Sequence, residues 1–207
     1  IGAGYGELAR IIIKTKGIKY IIIDLPETNL LSSYYLNSYF PDKKIILSKD
    51  LLNGELTESL FNNNEIFIIN PWDKIGDFKI DIFLNFHSLM EMNLKARKNY
   101  YKLIHTKISK NGFMFTENRY CKLVGFEKNL LRDYEYDNKW KTIFYSKNLD
   151  NKKMGIILTQ RSLNNMNDIK NLKKQIEIDG KEFEVPKYIP IFIILIYKFI
   201  KKILISK

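Results

Sequence analysis

The sequence predicts an α/β fold, a mostly parallel sheet wound with helices on both faces, and three observations lead there. Short apolar runs rich in Ile and Phe alternate with longer segments of helical period. A glycine cluster, Gly2, Gly4 and Gly6, opens the chain directly before a helical pattern. The first buried run after it, Tyr20-Ile21-Ile22-Ile23, ends in Asp24.

Taken in order, the pattern predicts strands at 20–24, 44–47, 65–69, 80–86, 112–117, 142–146 and 155–159, and helices at 6–14, 27–39, 51–61 and 90–109. The runs at 44–47 and 65–69 compete to be the strand before 80–86, and periodicity leaves open which of them lies parallel in the sheet. The stretch 134–159 reads as two strands joined by a polar turn at 148–153, a hairpin closing the sheet edge. Glycine loops of this kind normally follow a buried strand, and none precedes Ile1, so the domain is expected to lack its first strand at the N-terminus. The division that follows is a nucleotide-binding domain at 1–160, a polar connecting segment at 161–186, and a hydrophobic, basic tail helix at 187–207.

With 207 residues, 45% of them hydrophobic, the chain can bury one sizeable core. Cys121 is the single cysteine, which excludes an internal disulfide framework and a cysteine-clustered zinc site and points to a reducing, cytoplasmic setting. No secretory leader is visible. The formal net charge of +11 comes from lysines scattered among acids, without a basic stripe interleaved with stacking aromatics, so no nucleic-acid partner is expected. His87 and His105 sit in no cluster with ligand spacing, and no metal is expected.

The loop Gly2-Ala3-Gly4-Tyr5-Gly6 allows positive φ and a close approach of backbone amides to a ligand. A dinucleotide fingerprint would place Gly or Ala where Glu7 stands, so the spacing favours S-adenosylmethionine over NAD. Asp24 stands where α/β folds put the acid that grips ribose hydroxyls, and Leu25 follows it; a helix-capping role for Asp24 is the competing explanation.

The blocks Ile1-Gly2-Ala3-Gly4-Tyr5-Gly6, Asp24-Leu25-Pro26-Glu27, Tyr34-Tyr35-Leu36, Asn85-Phe86-His87-Ser88-Leu89-Met90-Glu91-Met92 and Asn118-Arg119-Tyr120 resemble the sugar O-methyltransferases associated with surface-polysaccharide gene clusters. Tyr136, Asp137 and Trp140 fit that family's aromatic-rich closing region. The resemblance implies a Rossmann-like class I methyltransferase sheet, S-adenosyl-L-methionine as cofactor, and a sugar, nucleotide-sugar or glycan as acceptor. It implies a cofactor site at Gly2 to Gly6, Asp24, Leu25 and Asn85. Trp72, in Asn70-Pro71-Trp72, is a candidate to pack against the adenine, with a core tryptophan as the competing explanation.

Ligands of open α/β sheets sit beyond the carboxyl ends of the strands. Glu91 is therefore the first candidate for the base that deprotonates the acceptor hydroxyl and His87 the second. The competing explanations are a Ser88-to-Glu91 capping box and a structural histidine. Ser88, Asn118, Arg119, Tyr120, Asp137 and Trp140 complete the expected acceptor site, Arg119 being the natural phosphate fork, with a surface salt bridge as its competing explanation. Three other readings stay open: a methyltransferase for nucleic acid or another acceptor, an NAD-dependent oxidoreductase, and a non-catalytic nucleotide-sugar or membrane-associated protein.

Beyond Pro190 the chain is apolar except for Lys198, Lys201 and Lys202, which share one helical face. That pattern suits peripheral membrane contact through residues 190–205, at the inner face of the membrane, or packing onto the domain or a second copy.

Overall fold

A computed structural model describes residues 1–184 apart from 126 and 167. The elements run α1 (Glu7–Lys16), β1 (Tyr20–Ile23), α2 (Pro26–Tyr39), β2 (Ile45–Leu47), β3 (Glu55–Leu56), α3 (Glu58–Asn63), β4 (Ile66–Ile69), β5 (Lys74–Ile75) and β6 (Ile80–Phe86). After them come α4 (Leu94–Lys107), β7 (Ile108–Arg119), β8 (Cys121–Val124), β9 (Glu127–Leu130), β10 (Trp140–Lys147), β11 (Met154–Arg161) and α5 (Asp168–Gly180).

The arrangement is mixed α/β and Rossmann-like. One sheet has the order β1-β4-β2, all parallel, and a second has the order β10-β11-β7-β6. In the second, only β6 and β7 are parallel; β11 and β10 complete it as an antiparallel hairpin. Both competing runs are thus parallel strands. The second of them, β4, takes the centre because all four of its side chains are buried, whereas β2 buries only Ile46. Two short pairs, β3 with β5 and β8 with β9, lie outside the main sheets.

Ile1 and Gly2 join the two sheets. The Ile1 amine donates to the Leu84 carbonyl at 2.9 Å on β6, and the Gly2 amide donates to the Ile23 carbonyl at 2.9 Å on β1. Beside them β1 and β6 flank an apolar cavity of about 700 Å³, lined by Tyr20, Ile21, Ile80, Ile82 and Ile12 of α1.

α1 and α2 cover one face of the three-stranded sheet through Ala9, Ile13 and Leu36, which meet Ile22, Ile66 and Ile68. Leu51, Leu56, Phe61 and Phe78 cover the other. On the four-stranded sheet α4 and α5 share one face, where Tyr101, Ile104, Ile169, Leu172 and Ile176 bury Met114, Ile157 and Trp140. The opposite face shows Ile82, Phe86 and Phe144 exposed and Phe113, Phe115, Ile156 and Leu158 half-buried, and no described helix lies across it beyond Ile12 at one margin.

Three expectations are corrected. Among the described residues the hydrophobic, basic C-terminal helix is not found: the last α-helix there is α5, inside the stretch expected to be a polar connection. Ile169, Leu172 and Ile176 form an apolar stripe on it, while Glu177 and Asp179 pair with Arg132 and Lys147 at 3.8 and 3.3 Å. No described helix is long and apolar enough to cross a membrane, and the tail reading at 187–207 lies outside the described residues. The helix expected at 51–61 shrinks to α3, because Asn53 and Gly54 adopt φ of 53° and 66° and turn the chain into β3. The helix expected at 90–109 is split. Leu89 to Glu91 form a single 3₁₀ turn, Met92 is extended, and α4 starts anew with Asn93 accepting from the Ala96 amide at 2.8 Å.

Candidate active site at the strand ends

Gly2, Gly4 and Gly6 all hold left-handed backbone, with φ of 69°, 58° and 97°, but their surroundings differ. A Cβ on Gly2 would stand 2.2 Å from the Ser88 side chain, whereas one on Gly4 would meet nothing within 4 Å. Gly2 is therefore a close-packing position, and Gly4 opens onto free space at the α1 N-terminus, where amide dipoles favour an anionic group.

Asp24 closes this loop. One carboxylate oxygen accepts from the Gly4 amide at 3.1 Å and the other from the Leu25 amide at 2.8 Å, both in exposed surroundings. A carboxylate offers about four lone-pair directions, so each oxygen keeps one for a ligand hydroxyl. Glu7 turns back onto the protein instead. Its carboxylate accepts from Arg10 at 2.9 and 2.6 Å and from the Tyr35 hydroxyl, and the Arg10 hydrogen bonds, then that of Tyr35, hold its pKa down at about 2.

Asn29 is buried behind Asp24, and sequence reasoning did not single it out. Its amide nitrogen lies 2.8 Å from the Asp24 carbonyl, 2.9 Å from the Ile69 carbonyl and 3.1 Å from the Asn70 side-chain oxygen, tying the ends of β1 and β4 together. Leu25 and Trp72, on the loops after these strands, are 57% and 66% exposed, so both offer apolar surface to a ligand at the rim.

Asn85, expected to touch the cofactor, is instead a buried brace. Its amide donates to the Ile1 carbonyl at 3.0 Å and to the Ser88 hydroxyl, and its oxygen accepts from Leu89 N at 3.3 Å and the Asn118 amide at 2.9 Å. Asn118 is equally buried, its own oxygen accepting from Met90 N at 3.1 Å. Ser88 is drawn into the same network and makes no side-chain cap, so there is no Ser88-to-Glu91 capping box. Glu91 sits half-exposed on the 3₁₀ turn, paired with Lys122 at 2.7 Å.

His87 is the unusual residue. It follows β6 directly, adopts φ of 63°, and donates its amide to the Glu117 carbonyl at 2.9 Å. Left-handed backbone in a non-glycine residue costs about 1–2 kcal/mol, and such strain concentrates at functional sites. Its Nε2 stands 3.3 Å from Glu117 Oε1, which also accepts from the Asn148 amide at 2.7 Å. A carboxylate only accepts, so the hydrogen belongs on Nε2 and the lone pair on Nδ1. Glu117 was legible as the end of an expected strand facing the same crevice as Asp24 and His87; its pairing with His87 is a product of β6–β7 register, in which Phe86 lies beside Glu117.

Three expected acceptor residues lie elsewhere. Tyr120 is buried, bonded to the Tyr145 hydroxyl at 3.0 Å and stacked on Phe183. Trp140 is fully buried and, with Asp137, belongs to the opposite end of the sheet, where Trp140 pairs with Arg161 on β11 and donates to His105 Nε2 at 3.1 Å. Asp137 is forked by Arg161 at 2.5 and 3.0 Å. Arg119, by contrast, stays at the strand end beside Glu117. Among the described residues no group of three His, Cys, Asp or Glu side chains converges as a metal would require.

No protein-family model matches the chain, and no curated protein does. Several solved structures are similar to it in fold at low identity. HI0767 of Haemophilus influenzae, described as a methylase, is 12% identical with a TM-score of 0.37, over 75% of this chain and 94% of its own. The Escherichia coli protein yhhF, described as a methyltransferase, is 10% identical with a TM-score of 0.35, over 76% and 84%. The pyocyanin biosynthetic protein PhzM is 10% identical with a TM-score of 0.42, over 77% of this chain and 48% of its own, so the chain spans about half of that longer protein.

Proposed function

We propose that the chain is the catalytic core of an S-adenosylmethionine-dependent methyltransferase acting on a sugar hydroxyl. The observation that carries the cofactor reading is the contact between Asp24 and the Gly4 amide: it sets a carboxylate with two spare acceptor directions beside an open glycine loop. Asp24 would hold the ribose hydroxyls, the Gly4 segment and the α1 N-terminus the carboxylate end, and Leu25 and Trp72 the adenine. When bound, the cofactor supplies a methyl group activated by its sulfonium.

His87 supplies the base. With Nε2–H held by Glu117, Nδ1 would take the proton of the acceptor hydroxyl and so leave its oxygen able to accept the methyl group that the cofactor would supply. Glu117 stabilises the imidazolium that results, and Asn148 fixes the Glu117 carboxylate. Glu91 is engaged by Lys122 and points to a supporting role. A sugar as acceptor rests on the sequence blocks around Asp24, Asn85 and Asn118, together with the polar rim formed by His87, Glu117, Asn148 and Arg119. The test is calorimetric titration with S-adenosylhomocysteine, followed by mass spectrometry of surface glycans from cells with and without the gene. Absence of cofactor binding would end the reading, and an unchanged glycan methylation pattern would end the sugar assignment.

A further inference from the structure

We infer that the methyl acceptor carries an oxyanion, and that Arg119 is the residue that holds it. The inference rests on the methyltransferase reading and narrows its substrate to an acidic sugar or a sugar phosphate.

The first observation is a contrast among the five arginines of the chain. Arg10 pairs with Glu7, Arg97 with Glu135, Arg132 with Glu184, and Arg161 with Asp137. Arg119 makes no ion pair and no side-chain hydrogen bond among the described residues, and its Nε is sealed from solvent without an acceptor. An arginine stays charged at any physiological pH, and no described carboxylate neutralises this one, which leaves its guanidinium charge for an anion brought from outside.

The second observation is position. On β7, Thr116, Asn118 and the following Tyr120 point into the core, which puts Glu117 and Arg119 together on the opposite face. Glu117 is the partner of His87. Residues two apart on a strand are separated by about 6.5 Å, roughly the width of one sugar ring. An acceptor whose oxyanion sits on Arg119 would then lie along the same strand end as the Glu117–His87 pair. The Arg119 backbone is held on both sides, in register with Met154 on β11 and donating to the Met90 sulfur at 3.3 Å, so the side chain leaves from a rigid strand end.

The third is chemistry. A guanidinium presents two parallel N–H donors that match a phosphate or a carboxylate, and a neutral hydroxyl cannot use the fork. The phosphate of a nucleotide-sugar and the carboxylate of a uronic acid supply the same chemistry.

The experiment titrates the full chain, saturated with S-adenosylhomocysteine, with uridine diphosphate glucose, with glucuronate and with methyl glucoside, and repeats the series with Arg119→Ala and Arg119→Lys. One anionic probe is expected to bind, to lose at least about tenfold in affinity in Arg119→Ala, and to recover only part of it in Arg119→Lys, which restores charge without the fork. Binding of the nucleotide-sugar alone assigns the anion to phosphate, and binding of glucuronate alone to a carboxylate. Failure of both to bind the wild-type protein, equal affinity in Arg119→Ala, or methyl glucoside binding as tightly as the acids overturns the inference. The S-adenosylhomocysteine titration is read separately: its failure strikes the methyltransferase reading, while an Arg119-dependent anion would stand without it.

Discussion

Replacing Asp24 by alanine tests the proposed cofactor site at the residue that closes its glycine loop. The carboxylate serves two backbone donors, Gly4 N at 3.1 Å and Leu25 N at 2.8 Å, and both contacts are exposed, so water can take over when the side chain is removed. The stability cost should stay near the low end of the ~0.5–1.5 kcal/mol typical of one hydrogen bond. The ligand loses more. Two ribose hydroxyls would donate to the spare lone pairs, and a hydrogen bond to a charged group is worth ~1.5–3 kcal/mol. Water in the open loop compensates part of that, leaving a net loss near one such bond, or about 10- to 150-fold in Kd. Asp24→Asn keeps one acceptor oxygen and should fall between. Isothermal titration with S-adenosylhomocysteine reads the affinity, and circular dichroism with thermal unfolding checks the fold. Equal affinity in a folded Asp24→Ala protein would remove Asp24 from the site and with it the observation on which the proposed function stands.

The remaining predictions probe the loop, the base, the core and the uncovered sheet. Gly2→Ala should unfold the chain at much lower temperature, since its Cβ would sit 2.2 Å from Ser88, whereas Gly4→Ala pays only the ~1–2 kcal/mol of left-handed backbone and should weaken cofactor binding with the fold retained. His87→Ala should lower methyl transfer by ~10²- to 10⁴-fold in a single-turnover assay. Glu91→Gln should change it little, because an exposed pair such as Glu91–Lys122 contributes ~0–1 kcal/mol; the reverse order would move the base to Glu91. Burial pushes the His105 pKa below 6.5, with Arg161 adding to the effect and Asp137 opposing it. The unfolded chain then binds the proton more readily, so His105 supports the fold fully above pH 6.5 and loses that contribution as pH falls below it. Urea unfolding at descending pH should show this slope, and His105→Gln should flatten it. Finally, Ile82→Lys with Phe144→Ser should leave the unfolding midpoint unchanged in thermal unfolding, because both side chains are exposed on the face no described helix covers.

Much of the local structure was legible from residue order. The Ile-rich run at Tyr20–Ile23 reads as a buried strand because β-branched side chains of uniform polarity fit nothing else of that length, and the glycine loop before α1 follows from conformational freedom that other residues lack. Asp24 follows from the strand it terminates. Where an expectation failed locally, a backbone feature outweighed the periodicity: the left-handed Asn53 and Gly54 ended one helix, and the Asn93 cap restarted another.

The tertiary structure alone decided which polar residues are free to act. Asn85, Asn118, Ser88, Tyr120 and Trp140 are as polar or aromatic in sequence as any ligand-binding set, yet each is consumed by a partner far away along the chain, from Ile1 and Met90 to Tyr145 and His105. Glu117 became a partner of His87 only when β6 and β7 paired in their particular register, and Arg119 was set apart only when the other four arginines had found carboxylates. Sequence determines which groups a chain carries and the period with which they recur; whether a hydrogen-bonding group is already satisfied depends on contacts between distant segments, and periodicity holds no record of those.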